Sequence, residues 1–198
     1  MVSEIPAVFD LHKHEDYEPY ALSLGKLIHS WNHLHGALGY LLWMILSVQD
    51  GSVPLAIWNS ATSDHAQRQM LKAATSASRN TGRFKSLPRA ADDIEWLIQE
   101  VEKIRHGRND AIHAPLGVTK TRDGEDSFII TPWDAFGSLR AKSLVGKDLL
   151  KEFDWYRAKS DVLSSHSILM GACLAFPKRH PWPNRPLLPT LGTSETSG

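Results

Sequence analysis

An unbroken apolar stripe near the start of the chain restricts the fold more than any other feature. It advances in steps of three and four residues through Leu24, Leu27, Trp31, Leu34, Leu38, Leu41, Ile45 and Val48. Such spacing places every member on one face of an α-helix. The sequence therefore predicts an amphipathic helix from about Tyr20 to Val48, with Pro19 in its first turn and Asp50-Gly51 at its end.

Three further helices are predicted from stripes and capping residues of the same kind. Their expected limits are Ser60 or Ser63 to Asn80, Pro88 to His113 or Ala114, and Asp148 to Phe176. The second helix would bury Ala66, Met70, Ala73 and Ala77. The third would bury Ile94, Leu97, Val101 and Ile104.

The segment between the last two predicted helices differs from them in composition. The segment from Val118 to Thr131 is rich in β-branched residues, and Asp123-Gly124 at its middle is a hairpin-turn dipeptide. The predicted fold is mainly α: an antiparallel four-helix-type bundle over residues 20–176, with a β-hairpin (about 118–131) inserted before the last helix. An N-terminal extension (1–19) and a proline-rich, mostly disordered tail (177–198) would flank it.

Composition excludes several classes of protein. The 198 residues carry 22 basic and 22 acidic side chains, so no overall charge draws the chain to nucleic acid or membrane. The single cysteine, Cys173, rules out a disulfide framework and a cysteine-based zinc cluster. The most apolar stretch, Ala37 to Val48, is shorter than the roughly 20 residues that cross a bilayer. We therefore expect a cytoplasmic protein that has no membrane partner.

The end of the third helix carries the polar residues of greatest interest. Arg108 falls on the same face as the apolar stripe of that helix, where a charge needs a partner or a cavity. A polar face beside it contains Glu102, His106, Asn109 and His113. Gly107, inside the helix, indicates a close approach of another backbone.

Arg108-Asn109, followed by His113, resembles the Arg-x4–6-His motif of the HEPN superfamily (higher eukaryotes and prokaryotes nucleotide-binding domain). The helical architecture also resembles that superfamily from Tyr20 to Phe176. The resemblance implies a metal-independent endoribonuclease without a cofactor, of the kind found in toxin–antitoxin and phage-defence systems. It also implies a homodimer whose two motifs meet at the twofold axis, with RNA and, in a toxin, an antitoxin protein as partners. Other members of the superfamily are inactive binding modules.

The chemistry can also be argued from the residues themselves. RNA cleavage by the 2′-hydroxyl needs a base, an acid and stabilisation of the charge on phosphate. Histidine can donate or accept a proton near neutral pH, so His113 is the candidate base or acid. The planar guanidinium of Arg108 can hold phosphate, and Asn109 can orient phosphate or histidine. The products would be a 2′,3′-cyclic phosphate and a 5′-hydroxyl, and DNA would not be cut.

A stretch without acidic residues supplies candidate RNA-binding residues. Between Ala66 and Arg89 there are six basic side chains and no acid. The predicted RNA contacts are Arg79, Arg83, Lys85, Arg89, Arg105 and His106.

Three other interpretations stay open. Arginine and histidine in a last helical turn also complement the negative end of the helix dipole. The chain could be a catalytically silent helical module that binds RNA or a protein. The pair His29 and His33 has the spacing of two metal ligands on one helix, but no third ligand stands at a motif spacing, so no metal site is predicted.

Overall fold

A computed structural model of the protein describes residues 15, 17–114, 116–120, 128–132 and 137–191. Within these ranges the chain forms six helices and one pair of strands. The elements are α1 (Tyr17–Leu46), α2 (Ser52–Ser60), α3 (Asp64–Asn80), α4 (Ala90–His113), β1 (Leu116–Lys120), β2 (Phe128–Pro132), α5 (Leu139–Lys142) and α6 (Leu149–Ala175). The mainly helical class and the hairpin before the last long helix are thus confirmed. No helix of the described residues is long and apolar enough to cross a membrane.

The predicted stripe of α1 forms the centre of the core. Leu27, Leu34, Leu38 and Leu41 are fully buried, and Trp31 and Ile45 are nearly so. The helix ends earlier than predicted, because Ser47 adopts a left-handed backbone conformation (φ 56°) directly after Leu46. Val48 therefore lies outside the helix and is exposed.

The antiparallel arrangement predicted for the four long helices is not confirmed. His33 and Ala37 of α1 contact Ser164 and Ser167 of α6 in increasing order, so these two helices run in the same direction. α3 also runs parallel to α1, since Trp31 pairs with Asp64 and His35 with Gln67.

The physical reason is α2, a short helix that the sequence analysis missed. It turns the chain back along α1, so that Gly51 lies against Trp43 and Trp58 lies against Gly39. The chain then enters α3 in the direction of α1. Only α4 runs against the other long helices. Arg68 and Arg79 of α3 pair with Glu102 and Glu95 in decreasing order, and Lys159 and His166 of α6 contact Glu100 and Trp96 in decreasing order.

α4 and α6 complete the core. The predicted stripe of α4 is confirmed, because Ile94, Leu97, Val101 and Ile104 are all buried. α6 begins after Asp148, whose side chain accepts a hydrogen bond from the Lys151 amide (3.2 Å) and caps the helix.

The hairpin is antiparallel, with Leu116 opposite Pro132 and Lys120 opposite Phe128. It is somewhat longer than the predicted 118–131. The predicted turn at Asp123-Gly124 lies outside the described residues.

The tail differs from the mostly disordered segment that the sequence predicts. Residues 177–191 form no helix or strand, but they are held against the bundle. Trp182 and Leu188 pack on the core, and Trp182 and Arg185 hydrogen-bond to Asp93 of α4. Composition alone missed this because a few tryptophan and arginine contacts can order an extended segment. Residues 192–198 lie outside the described part.

Candidate functional site

Arg108 lies near the end of α4, on the face that turns toward α1 and α3. Its guanidinium stacks over the Trp31 ring, 4.8 Å from the ring centroid, and 13% of its side chain is exposed. Nη1 donates to Asn109 Oδ1 (2.7 Å) and lies 3.8 Å from Asp64 Oδ2. The prediction that Arg108 turns inward and needs a partner is therefore confirmed.

Asp64 is placed by the start of α3. Ser63 is the N-cap, accepting a hydrogen bond from the Ala66 amide (3.2 Å), so of the two predicted caps the structure selects Ser63. Asp64 is then the first helical residue, where the helix dipole favours a carboxylate. Its Oδ2 atom also accepts a hydrogen bond from Trp31 Nε1 (2.8 Å). One carboxylate thus fixes both the tryptophan and the arginine that stacks on it.

A second arginine lies deeper, in the α3 face that packs against α4. The side chain of Arg68 is 1% exposed, and its Nε donates to Glu102 Oε2 (3.0 Å). Nη2 lies 2.8 Å from the same oxygen in ion-pair contact, without the direction of a hydrogen bond. Glu102 Oε1 in turn pairs with Arg105 Nη2 (2.8 Å). We call Asp64, Arg68, Glu102, Arg105 and Arg108 the arginine cluster.

His35 of α1 closes the inner side of this cluster. Its Nδ1 lies 2.8 Å from Gln67 Oε1, and its Nε2 lies 3.5 Å from Arg68 Nη1. Arginine only donates hydrogen bonds, so Nε2 must accept and Nδ1 must carry the proton. Burial lowers the pKa of His35; Asp64 and Gln67 oppose this, and the neighbouring arginines reinforce it. The imidazole is therefore held neutral.

The charges of the cluster do not cancel. Three guanidinium groups face two carboxylates, which leaves one net positive charge beside the neutral His35. Burial lowers the pKa of Arg108, Asp64 raises it and Arg68 lowers it further. Desolvation likewise lowers the pKa of Arg68, against the effect of Glu102. An anion that reached the edge of this cluster would relieve the repulsion between its arginines.

The two histidines of the motif region face solvent. His113, the last residue of α4, is exposed and makes no hydrogen bond, ion pair or ring contact with the described residues. His106 is exposed and accepts at Nε2 from Arg105 Nη2 (2.9 Å). Five residues of helix advance about 7.5 Å and turn about 140° from Arg108 to His113. One chain thus presents the two groups on different sides of the helix.

Gly107 makes room for a side chain of the neighbouring helix, whereas the sequence predicts a close approach of another backbone. A Cβ atom at this position would overlap the hydroxyl of Tyr156 on α6. Desolvation raises the pKa of Tyr156, and the nearby carboxylates Glu152 and Asp110 raise it further. The tyrosine remains a neutral hydrogen-bonding group that packs the end of α4 against α6.

No family model, curated protein or solved structure matches this chain. The arginine cluster is therefore interpreted from its own geometry. Among the described residues, no group of three or more histidine, cysteine, aspartate or glutamate side chains is arranged to hold a metal ion.

Four of the residues predicted to bind RNA lie at the other end of α4. They are Arg79, Arg83, Lys85 and Arg89, which we call the basic tract. Arg79 pairs with Asp92 and Glu95, and Arg89 pairs with Asp93. Along α4, Arg89 and Arg108 are separated by about 28 Å of helix.

The other two residues of the tract differ in their surroundings. Arg83 donates from Nη2 to the carbonyls of Met44 (2.8 Å) and Leu174 (3.2 Å), at the ends of α1 and α6. Lys85 is exposed and has no ion pair with the described residues. The structure brings Arg105, His106, Asn109 and Arg108 together. The basic tract lies apart from them.

Sequence reasoning missed Asp64, Arg68 and His35. The expected stripe of α3 was wrong: Ala73 and Ala77 are exposed, while Arg68, Leu71 and Thr75 are buried. Apolar periodicity does not identify the buried face of α3, because an arginine lies at the centre of that face. The available signal was Asp64 directly after a serine cap.

Proposed function

We propose that the protein is a metal-independent endoribonuclease of HEPN type, which cleaves RNA by attack of the 2′-hydroxyl. The observation that carries the proposal is the end of α4, where Arg108 is fixed by Trp31 and Asp64 while His113 is exposed and has no partner in the described part of the chain. A guanidinium held in one orientation and an unengaged imidazole are the two groups that this reaction needs.

Arg108 would stabilise the charge that develops on phosphate. Its stacking on Trp31 and its pairing with Asp64 fix its plane before substrate arrives, so little freedom is lost on binding. Asp64 also offsets part of its charge without a close hydrogen bond, since the two atoms lie 3.8 Å apart. Two phosphate oxygens would form the closer, bidentate contact.

His113 would transfer a proton. Two transfers are needed, from the 2′-hydroxyl and to the 5′-oxygen, and one chain offers one free histidine of the motif. Because Arg108 and His113 face different sides of α4, a second copy would have to complete the site. We therefore propose a homodimer with a composite site; a toxin role would add an antitoxin protein as partner.

The direct test is RNA cleavage by the purified protein in excess EDTA. We expect the wild type to cut single-stranded RNA and His113→Ala to lose at least 100-fold in rate. His29→Ala is the matched control, since His29 is also exposed but lies on α1, outside the residues predicted to cut or bind RNA. Equal cleavage by wild type and His113→Ala would overturn the proposal.

A silent interaction module is the second candidate, and a specific observation favours it. The Arg108 guanidinium is engaged within its own chain by Asn109, Asp64 and Trp31, as it would be in a purely structural arginine, although its buried Nε has no hydrogen-bond partner among the described residues. This candidate predicts no cleavage by the wild type, together with saturable binding of RNA or a protein that Arg108→Ala abolishes.

A further inference from the structure

The tail follows the groove between α4 and α6. After Phe176 the chain makes a turn, with the amides of Arg179 and His180 donating to the Phe176 carbonyl. The carbonyl of Pro181 then accepts a hydrogen bond from Cys173 Sγ (3.0 Å), so the tail doubles back along α6. The eight residues from Trp182 to Pro189, seven steps of extended chain, can span about 22 Å, whereas Trp155 and His166 lie about 17 Å apart along α6. The segment is thus long enough to run along the groove from the level of His166 to that of Trp155 without regular structure.

Asp93 is the anchor of the tail. Its side chain is 2% exposed, and it accepts hydrogen bonds from Trp182 Nε1 (2.8 Å) and Arg185 Nε (2.6 Å). Burial works to raise the pKa of Asp93, but these two hydrogen bonds and the charges of Arg89 and Arg185 hold it below its usual value. A buried carboxylate is costly without partners, and the tail supplies two of the three partners that Asp93 has among the described residues.

Two tryptophans of the groove recognise the tail in other ways. The guanidinium of Arg185 lies over the Trp96 ring, 5.3 Å from its centroid. Trp155 Nε1 donates to the carbonyl of Pro189 (2.9 Å). Aromatic rings that flank an extended proline-rich segment, with an indole N–H on a proline-rich backbone carbonyl, are the usual means of binding polyproline-type peptides.

We propose that the α4–α6 groove is a binding site for extended, proline-rich peptides. Such a peptide carries a tryptophan and, three residues later, an arginine, and the tail is the ligand that the same chain supplies. The chemistry of recognition is that of Trp182 and Arg185, which meet Asp93 and Trp96. None of these contacts depends on the tail being part of the same chain. A partner protein with the same pattern would bind here by displacing the tail. The proposal is independent of the nuclease activity.

The test uses the full chain with the tail anchors removed, Trp182→Ala/Arg185→Ala, and a fluorescein-labelled peptide of residues 177–191. Fluorescence anisotropy should show saturable binding to this variant. Binding to the wild type should be at least tenfold weaker, because its own tail competes at high effective concentration. A peptide that carries both alanine substitutions should bind at least tenfold more weakly.

Adding Asp93→Asn to the receptor should also reduce peptide affinity at least tenfold. Asp92→Asn is the matched control, because the neighbouring Asp92 carboxylate pairs with Arg79 outside the groove and should leave affinity unchanged. Absence of saturable binding, or binding that survives Asp93→Asn, would overturn the proposal.

The wild-type chain provides a second test that does not depend on the folding of a variant. Cys173, the single cysteine, is 3% exposed and donates to the tail at Pro181, so its reaction with a thiol reagent reports release of the tail. Millimolar wild-type peptide should raise the labelling rate several-fold, and the doubly substituted peptide should not. An unchanged rate with both peptides would contradict displacement.

Discussion

Replacing Glu102 with glutamine tests whether the arginine cluster is held together by charge. Glu102 is the carboxylate closest to Arg68, a guanidinium that is 1% exposed. Glutamine keeps the shape and one acceptor oxygen but leaves the buried cation without its ion-pair partner. Removing one partner of a fully buried pair costs about 3–5 kcal/mol. Because Glu102 itself is 39% exposed and Asp64 lies near, we expect Glu102→Gln to lower the free energy of unfolding by about 2–3 kcal/mol.

Glu95→Gln is the matched control. Glu95 lies on the same helix, is also 39% exposed and also pairs with an arginine of α3, but that arginine, Arg79, is 44% exposed. An exposed pair of this kind contributes about 0.5 kcal/mol or less. The two variants therefore differ in the burial of the arginine, and Arg79 also keeps Asp92 as a partner; both differences predict a smaller loss for Glu95→Gln.

The assay is equilibrium unfolding in urea followed by circular dichroism, with thermal melting as a check. A loss of 2–3 kcal/mol corresponds to a fall in Tm of about 4–12 °C for a chain of this size. Equal losses for Glu102→Gln and Glu95→Gln would refute the reasoning, since burial of the arginine would then have no effect.

Three further outcomes follow from the same structure. Gly107→Ala should lower the free energy of unfolding by about 1–3 kcal/mol, because the new methyl group meets the Tyr156 hydroxyl. Gly36→Ala, which has open space around it, should be neutral or stabilising in the same urea titration. Ser63→Ala should cost about 1 kcal/mol through loss of the α3 cap, measured by thermal melting. The pKa of His35 is lower in the folded chain than in the unfolded chain, so the unfolded chain takes up the proton first as the pH falls. The free energy of unfolding should therefore decrease as the pH drops below about 6.5. His35→Gln should make this decrease smaller in urea titrations between about pH 7.5 and 5.5.

The long helices could be predicted because each carries its own evidence. The stripes of α1 and α4 and the approximate bounds of α6 follow from local patterns, and the structure confirms them. The helix α2 escaped because its nine residues are too few for a periodic pattern and contain Pro54. That single omission also made the predicted direction of α3 wrong.

In the candidate site, the sequence predicts the inward position of Arg108 but not the residues that it contacts. The position of Arg108 on an apolar face indicated that it turns inward, and it does. Its partners Trp31 and Asp64 belong to other helices, so only the packing of α1 and α3 against α4 could identify them. The tail anchor at Asp93 was missed because its two donors are distant in sequence.

The chemical ends of cleaved RNA test the central claim most directly. A single-site RNA oligonucleotide would be digested in EDTA by wild type and by His113→Ala, and the fragments would be analysed by mass spectrometry. The account predicts 2′,3′-cyclic phosphate and 5′-hydroxyl ends from the wild type, and an uncut substrate when the nucleotide 5′ to the cleavage site is 2′-deoxy. Fragments with 5′-phosphate ends, or the same fragments from His113→Ala, would contradict it.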